Sequence, residues 1–341
     1  MVAAAADASD PCRDRPPGQA PPPSAAAAAA AASRDTAGAL RRQGVASRRF
    51  SGADRRARAE RARAELARYR PDPQLIRALA PLWGWAHRHY FQVTCQGWEH
   101  VPSGGPVLFI ASHSGGLAAP DMHMAIHEWY QRFGLERPIR GLAHPKLWRV
   151  YPLLSHLAAG VGAIPAHPRL ARAALEQGSS LLIYPGGAEE ACRPHRQRDR
   201  VDLQGRTGFL RLALEFDLPL LPVVSWGSHD TLLILEDLYP LAQALQRRGW
   251  LRWPLGIDPE VLPLYLGLPW GLMLGPIPNW PLPAPIRLSI GAPIRFARGG
   301  EEASRDRSYV QACYGQVERT MQRQLDQLRQ QASGQAGPAS R

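Results

Sequence analysis

The chain has 341 residues, 45% of them apolar and 21% charged, so it can fill the core of one large domain or two ordinary ones. Its net charge is +12, but residues 1–70 carry +7 of it, and the mildly basic remainder does not indicate a nucleic-acid-binding protein. The four cysteines form no CxxC pair, which argues against a disulfide framework or a structural zinc site and indicates a reducing compartment.

Residues 1–70 are predicted to form a low-complexity basic tail without a cleavable signal peptide. Residues 1–50 are rich in Ala and Pro and cannot bury enough apolar surface to fold, so we expect them to be disordered. Residues 53–69 are rich in Arg, Ala and Glu, which favours a short helix ended by the prolines at 71 and 73. The basic charge suits an anionic partner, such as acidic lipid, nucleic acid or a phosphate-bearing carrier.

Residues 71–98 are predicted to contain an amphipathic, aromatic helix. Leu75, Leu79, Leu82 and Trp83 recur at spacings of three and four, and arginine and histidine side chains lie between them. Two interpretations stay open at this point. The helix lies in the interface of a membrane, or it packs on the main domain.

Residues 99–331 are predicted to form one folded domain, followed by a disordered C-terminus over residues 332–341. Strands are expected at residues 107–111, 139–143, 163–164, 180–184, 220–224 and 286–290, and helices at residues 121–133, 168–177, 208–216 and 309–331. This alternation predicts an α/β fold, with a mixed central sheet flanked by helices.

Residues 261–277 lack any charge but are interrupted by Pro263, Pro269 and Pro276. No uninterrupted apolar run of about 20 residues occurs here or elsewhere, so the sequence does not indicate a simple transmembrane helix. The stretch is expected to lie in a membrane interface, to line an apolar pocket, or to be a buried loop.

A histidine follows the first predicted strand of the domain, at residue 113. In open α/β sheets the carboxyl ends of strands are where ligands bind. Ser114, Gly115 and Gly116 come next, and such small residues leave room around the imidazole and let backbone N–H groups approach a ligand. Asp121, at a predicted helix start, is placed to hold one tautomer of His113. The pattern predicts a base that acts on a hydroxyl, although isolated His–Asp pairs are also common structural features.

Two more segments repeat this arrangement. The strand at residues 180–184 runs into Pro185 and then Gly186 and Gly187, and the backbone N–H groups of the two glycines are candidate donors to a carbonyl or phosphate oxygen. Glu190 follows at a possible helix start, where acidic residues also act as caps. Arg206 precedes a helix that leads to a buried strand, and it is a candidate for binding phosphate or carboxylate, or for a structural ion pair.

Taken together, these segments resemble the glycerolipid (lysophosphatidic acid) acyltransferase superfamily over roughly residues 80–325. Residues 113–121 look like its His-to-Asp block. Residues 184–191, YPGGAEEA, occupy the place of its Phe-Pro-Glu-Gly block, but they are closer to the Gly-Gly-Ala-x-Glu-Ala block of the monoacylglycerol and diacylglycerol acyltransferase branch. Residues 206–223 resemble that branch's Arg-Lys-Gly-Phe block and the superfamily's Val-Pro block. Residues 161–165 are similar to the second block without its arginine.

The resemblance implies an enzyme that moves a fatty acyl group from acyl-CoA or acyl carrier protein to a lipid hydroxyl, with His113 as base and Asp121 as its partner. It implies no metal and no cofactor beyond the donor, a peripheral or monotopic contact with the cytoplasmic side of a membrane, and no nucleic-acid partner. The residues expected to bind substrate or the oxyanion are Ser114, Gly115, Gly116, Pro185, Gly186, Gly187, Glu190 and Arg206.

Two departures from the family pattern matter. Seven residues lie between His113 and Asp121 where four are common, so the reach of Asp121 to His113 is open. Gly186 replaces the usual glutamate, and Glu189 stands where an arginine is common. The missing arginine favours a neutral acceptor, such as mono- or diacylglycerol. The alternatives are a 1-acylglycerol-3-phosphate acyltransferase of phospholipid synthesis and a non-catalytic lipid-binding protein of the membrane surface.

Overall fold

The computed structural model describes residues 52–253 and 256–335. The predictions for residues 1–51 and 336–341 lie outside this range, whereas residues 332–335, which were predicted to be disordered, continue the C-terminal helix. The described chain begins with a helix, α1 (Gly52–Leu66), and a 3₁₀ turn, Ala67–Tyr69, so the short helix predicted over residues 53–69 is present. Ala62 and Leu66, four residues apart on one helix face, are 6% and 1% exposed in the core, and their burial holds this helix on the domain.

The described strands form two sheets. They are β1 (Thr94–Gln96), β2 (Leu108–Ala111), β3 (Ile139–Ala143), β4 (Ile164–Pro165), β5 (Ser180–Ile183), β6 (Leu220–Trp226), β7 (Leu233–Asp237), β8 (Pro263–Gly267), β9 (Gly271–Leu274) and β10 (Arg287–Ile290). The main sheet has the order β1-β10-β6-β2-β5-β3-β4, and β7-β8-β9 form a small antiparallel sheet. Strands β6, β2, β5, β3 and β4 run parallel, whereas β10 is antiparallel to β6. The predicted α/β fold with a mixed sheet is therefore confirmed.

The helices after α1 surround the main sheet or connect its strands. They are α2 (Pro73–Trp85), α3 (Pro120–Phe133), α4 (Lys146–Val150), α5 (Pro152–Gly160), α6 (Pro168–Glu176), α7 (Gly187–Ala191), α8 (Gly208–Glu215), α9 (Tyr239–Arg247), α10 (Gly300–Arg305) and α11 (Arg307–Gln335). Four of them begin with a proline, whose fixed φ suits the first helical position and whose missing N–H would have no partner there. In the described residues, no helix is both long enough and apolar enough to cross a bilayer.

The central strands are buried on both faces because their alternate side chains pack against different helices. In β2, Leu108 and Ile110 join the apolar cluster of α6, α8 and α11, whereas Phe109 and Ala111 face the cluster that includes α2 and α3. This explains why these strands are continuous apolar runs in the sequence.

Helix α2 packs on the domain through one side only. Ile76 and Trp83 are buried, and the helix continues as a π-helical turn over Ala86–Tyr90. Leu82 and Trp85 are 60% and 50% exposed. One side of the helix therefore packs on the main domain, as one of the two interpretations expected. The other side exposes apolar side chains.

The small sheet accounts for the charge-free stretch at residues 261–277, which forms the hairpin β8–β9 rather than a buried loop. Pro263 is the first residue of β8, and Pro269 lies between the two strands, positions at which the missing N–H does not break the ladder. The sequence did not predict this hairpin, because prolines and a lack of alternation hide the strand pattern.

Candidate active site

The three chemically interesting segments meet at one edge of the main sheet. Strand β2 lies between β5 and β6, and all three are parallel, so their carboxyl ends lie side by side. His113 comes two residues after β2, Tyr184 directly follows β5, and a 3₁₀ turn, Ser228–Thr231, follows β6. This edge is the place where α/β sheets bind ligands.

The structure brings Asp121 to His113 despite the long spacing between them. The Nδ1 atom of His113 lies 3.2 Å from Oδ2 of Asp121, which also accepts a hydrogen bond from the backbone N–H of Ser114 at 3.1 Å. Asp121 is 1% exposed, in the first turn of α3. The carboxylate therefore fixes both the imidazole and the backbone next to it.

The extra residues between the pair form a compact turn. A 3₁₀ turn covers Gly116–Ala118, preceded by Gly115 at φ 83°, a conformation that glycine adopts without strain. A side chain at Gly115 would come within 2.7 Å of Pro120. The small residues after His113 are thus required by close packing as well as by backbone conformation.

The environment of His113 suits a base. Burial lowers the pKa of its imidazole, but the charge and hydrogen bond of Asp121 and the charge of Glu190 outweigh burial, so the pKa is raised above its usual 6.5. The ring of Tyr184 lies against the imidazole with 4.4 Å between centroids. Because Nδ1 faces Asp121, Nε2 is the ring nitrogen left to take a proton from a substrate.

Beneath His113 lies a buried ion pair that the sequence did not reveal. Nη1 of Arg193, a residue only 6% exposed, donates to the backbone carbonyl of His113 at 3.0 Å and lies 3.4 Å from Oε1 of Glu190. Burial raises the pKa of Glu190 to about 7, against the lowering effects of Arg193 and of the backbone amides of His113 and Asp202. The pair thus couples the segment at residues 184–191 to the backbone of His113.

Gly186 and Glu190 are sterically matched. A Cβ atom at Gly186 would lie 2.3 Å from Oε2 of Glu190 and 2.3 Å from the carbonyl oxygen of Asp202. The backbone of Gly186 is right-handed helical, so glycine is needed for space rather than for an unusual φ. The Glu190 carboxylate occupies the space that a side chain at residue 186 would need, which is the physical reason why the family's glutamate cannot stand at that position here.

Arg206 holds the Pro-Gly-Gly turn from outside. Its Nη1 donates to the carbonyl of Pro185 at 2.8 Å, and its Nη2 pairs with Glu189. Gly187 has a φ of 58°, which favours glycine, and its own N–H donates to the carbonyl of Tyr184 at 3.1 Å. The expectation that Gly187 donates to an oxyanion therefore does not fit this conformation, because that N–H is already engaged. The backbone amides of Gly115, Gly116 and Gly186 remain the candidates.

Two further polar side chains near the site were missed. His229, 4% exposed at the end of β6, has a pKa well below its usual value because of burial and the nearby charge of Arg193, and its Nε2 has no partner among the described residues. The buried carboxamide atoms of Asn279 also lack partners within the described part of the chain, and Oδ1 lies 3.9 Å from the Cβ position of Gly116. One signal was available: Asn279 is the only amide in the charge-free residues 261–286.

Comparison with known proteins agrees with this geometry. A family model described as Acyltransferase matches residues 92–226, which include β2, β5 and β6 and the site between them. An uncharacterized protein of Mycobacterium tuberculosis is 26% identical over 260 residues, covering 75% of this chain and 67% of that protein.

Other relatives have descriptive names, among them the following two. Phytyl ester synthase 2, chloroplastic, of Arabidopsis thaliana is 27% identical over 251 residues, covering 68% of this chain but only 33% of that protein. The human 2-acylglycerol O-acyltransferase 3 is 26% identical over 147 residues, covering 40% of this chain and 39% of that protein.

Proposed function

We propose that this chain, which belongs to the glycerolipid acyltransferase superfamily and is an acyltransferase, moves a fatty acyl group from an acyl thioester to the hydroxyl of a neutral lipid. The observation that carries the proposal is the buried His113–Asp121 pair at the end of the central strand, beside a glycine turn. Acyl-CoA and acyl carrier protein are the donors that fit this chemistry.

In the proposed mechanism, Nε2 of His113 takes the proton of the acceptor hydroxyl as the oxygen attacks the thioester carbonyl carbon. Asp121 holds the ring and offsets the charge of the imidazolium. The tetrahedral intermediate then collapses, the C–S bond breaks, and the thiolate takes the proton back from His113. The products are an ester and a free thiol, and no acyl-enzyme forms.

The oxyanion of the tetrahedral intermediate needs hydrogen-bond donors. The backbone amides of Gly115 and Gly116 are proposed for this role, and one such donor contributes roughly 3 kcal/mol of transition-state stabilisation. The unpartnered carboxamide of Asn279, next to Gly116, is proposed to bind the substrate. Ser114, Pro185, Gly186 and Glu190 shape the site, Glu190 through its pairing with Arg193.

The charge around the glycine turns supports a neutral acceptor. Glu189 pairs with Arg206, so this guanidinium is already offset by a carboxylate. A phosphate-bearing acceptor would have to compete with Glu189 for it. The names of the two relatives, a phytyl ester synthase and a 2-acylglycerol acyltransferase, fit uncharged lipid alcohols. A lysophospholipid acceptor and a non-catalytic lipid-binding role are the alternatives, and contact with the cytoplasmic side of a membrane is part of the proposal.

One assay tests the proposal. The purified chain is incubated with acyl-CoA or acyl carrier protein thioester and a panel of acceptors: phytol-like alcohols, mono- and diacylglycerol, and lysophosphatidic acid. We expect thiol release that requires a neutral alcohol, its loss in His113→Ala, and its retention in His156→Ala, which changes an exposed histidine of α5. Dependence on a phosphate would favour the lysophospholipid alternative, and no thiol release with any acceptor would favour the non-catalytic one.

A further inference from the structure

The small sheet has an outer face made of leucines. Leu266 of β8 lies between Leu233 of β7 and Leu272 of β9 in the register, and Leu264 lies opposite Leu274. Directly paired residues project from the same face of a sheet. Leu266, Leu272 and Leu274 are 46%, 61% and 46% exposed. Together these five side chains form what we call the leucine face.

The opposite face of the same sheet is covered by the protein. Ile234, Tyr265 and Met273 occupy the alternate positions and pack in an apolar cluster with Cys192 and Val261. The leucine face is therefore not the side of the sheet that packs on the protein core. It is the second apolar face of a two-sided sheet, and an antiparallel sheet usually turns polar side chains outward.

Tryptophans and the connecting loop extend the leucine face at one end. Leu268 and Trp270, in the loop between β8 and β9, are 46% and 56% exposed, and Trp280, whose backbone N–H donates to Leu268, is 65% exposed. Residues 261–286 contain no charged side chain, in a chain that is 21% charged. Glu236 of β7, opposite Leu264 in the register and ion-paired with Arg196, borders the leucine face on one side. The rest of the face, exposed leucine with tryptophan at its edge, matches the apolar core and aromatic belt of membrane-inserted surfaces.

Two contacts relate the leucine face to other parts of the molecule. The side chain of Leu232 lies between the glycine turn after His113 and the hairpin, within 2.6 Å of the Cβ position of Gly116 and 2.7 Å of that of Gly267. The hydroxyl of Tyr90 donates to the carbonyl of Pro281 at 2.7 Å, which ties the hairpin's end to α2, where Leu82 and Trp85 are also exposed. The face is thus one side-chain layer from the site, and the Tyr90–Pro281 hydrogen bond links the segment after it to the helix that carries Leu82 and Trp85.

We propose that the leucine face, with Leu268, Trp270 and Trp280, inserts into the surface of a lipid bilayer and holds the His113 site against it. This proposal rests on the proposed function in that the acceptor is a lipid. A lipid alcohol dissolved in the bilayer would then reach the base without crossing water.

The test is co-sedimentation of the full-length protein with vesicles, some of phosphatidylcholine alone and some with phosphatidylglycerol added. Leu272→Asp combined with Leu274→Asp should lower the partition coefficient at least tenfold on both vesicle types, because charged side chains are costly in the apolar layer. Leu241→Asp in α9 is the matched control, since Leu241 is 57% exposed but lies outside the hairpin, and it should bind as the wild type does.

A second measurement covers the case in which the double variant misfolds. Brominated lipid should quench part of the tryptophan fluorescence of the wild type, and Trp270→Phe should lose that part. Equal quenching in both proteins, or equal partitioning of a folded Leu272→Asp/Leu274→Asp variant, would overturn the proposal. So would a wild-type dimer that this variant converts to monomers without any change in vesicle binding, because the leucine face would then join two copies of the chain.

Activity separates this proposal from the proposed function. With a short-chain alcohol dissolved in water, the folded double variant should react at the wild-type rate, whereas with an acceptor in vesicles its rate should fall at least tenfold. If the wild type binds vesicles through the leucine face but releases no thiol with any acceptor, the proposed function fails while the membrane surface stands.

Discussion

Replacing Asp121 with Asn tests the role of the His113 pair most directly. Asparagine keeps the size of the side chain and can still accept a hydrogen bond from Ser114, but it removes the negative charge 3.2 Å from Nδ1 of His113. The imidazolium formed during the reaction then loses its counter-charge. At about 4 Å between charge centres and an effective dielectric constant of about 20, this interaction is roughly 4 kcal/mol. The rate should therefore fall about a thousandfold.

The pH profile gives a second prediction for the same variant. His113 must be neutral to accept a proton, so kcat/KM of the wild type should rise with pH through a midpoint above 6.5, since Asp121 and Glu190 raise the pKa of His113. In Asp121→Asn, burial still lowers the pKa of His113, but less negative charge opposes it. The midpoint of the kcat/KM profile should therefore move to lower pH. The measurement is thiol release from the acyl thioester at acceptor concentrations well below KM, from about pH 5 to pH 9.

Asp230→Asn is the matched control, because Asp230 also pairs with a histidine, His195, at 2.7 Å, but at the surface. It should change the rate by less than about twofold, as exposed ion pairs contribute little. If Asp121→Asn keeps its rate within threefold of the wild type, or if its midpoint moves upward, then Asp121 does not assist the base and the proposed mechanism is wrong.

Three further predictions concern the neighbouring groups. Glu190→Gln should flatten the pH dependence of the unfolding free energy: because the folded state raises the pKa from 4.5 to about 7, the wild type should lose about 3 kcal/mol as the pH rises through that interval. Urea titrations at the lower and the upper pH of this interval should show the loss of stability in the control Glu189→Gln but not in Glu190→Gln. Equal losses in the two variants would contradict this prediction. Gly186→Ala should lower the unfolding free energy by roughly 1–3 kcal/mol in thermal melts, because the new Cβ atom would overlap Glu190. The control Gly104→Ala has open space around it and should change the unfolding free energy by less than about 0.5 kcal/mol. If Gly186→Ala is as stable as the wild type, the packing argument is wrong. Asn279→Leu, of similar volume, should raise the KM for one substrate severalfold without loss of thermal stability, and unchanged kinetics would remove Asn279 from the site.

Several elements could be predicted from the sequence because their signals are local. The strand at residues 180–184 and the helix at residues 168–177 appear within one residue of their predicted bounds, because a buried strand is a short apolar run and a helix start is marked by proline. Helices α4, α5 and α9 and the small sheet were not predicted. Their apolar residues follow neither period clearly, and contacts with other parts of the chain decide their conformation.

The candidate site divides in the same way. The sequence identified His113, its glycine turn and the Pro-Gly-Gly turn as candidate site residues, since they follow apolar strands and together, in this order, resemble the blocks of one acyltransferase superfamily. The distance from His113 to Asp121 could not be read from their spacing, because it depends on how residues 114–120 fold back. Only the tertiary structure showed that Arg193 donates to the carbonyl of His113, because the two residues are far apart in the chain. It also showed that Glu190 fills the space next to Gly186, because this contact depends on how the chain turns there. The sequence thus determined which residues can do the chemistry, and the packing of three parallel strand ends decided which of them act together.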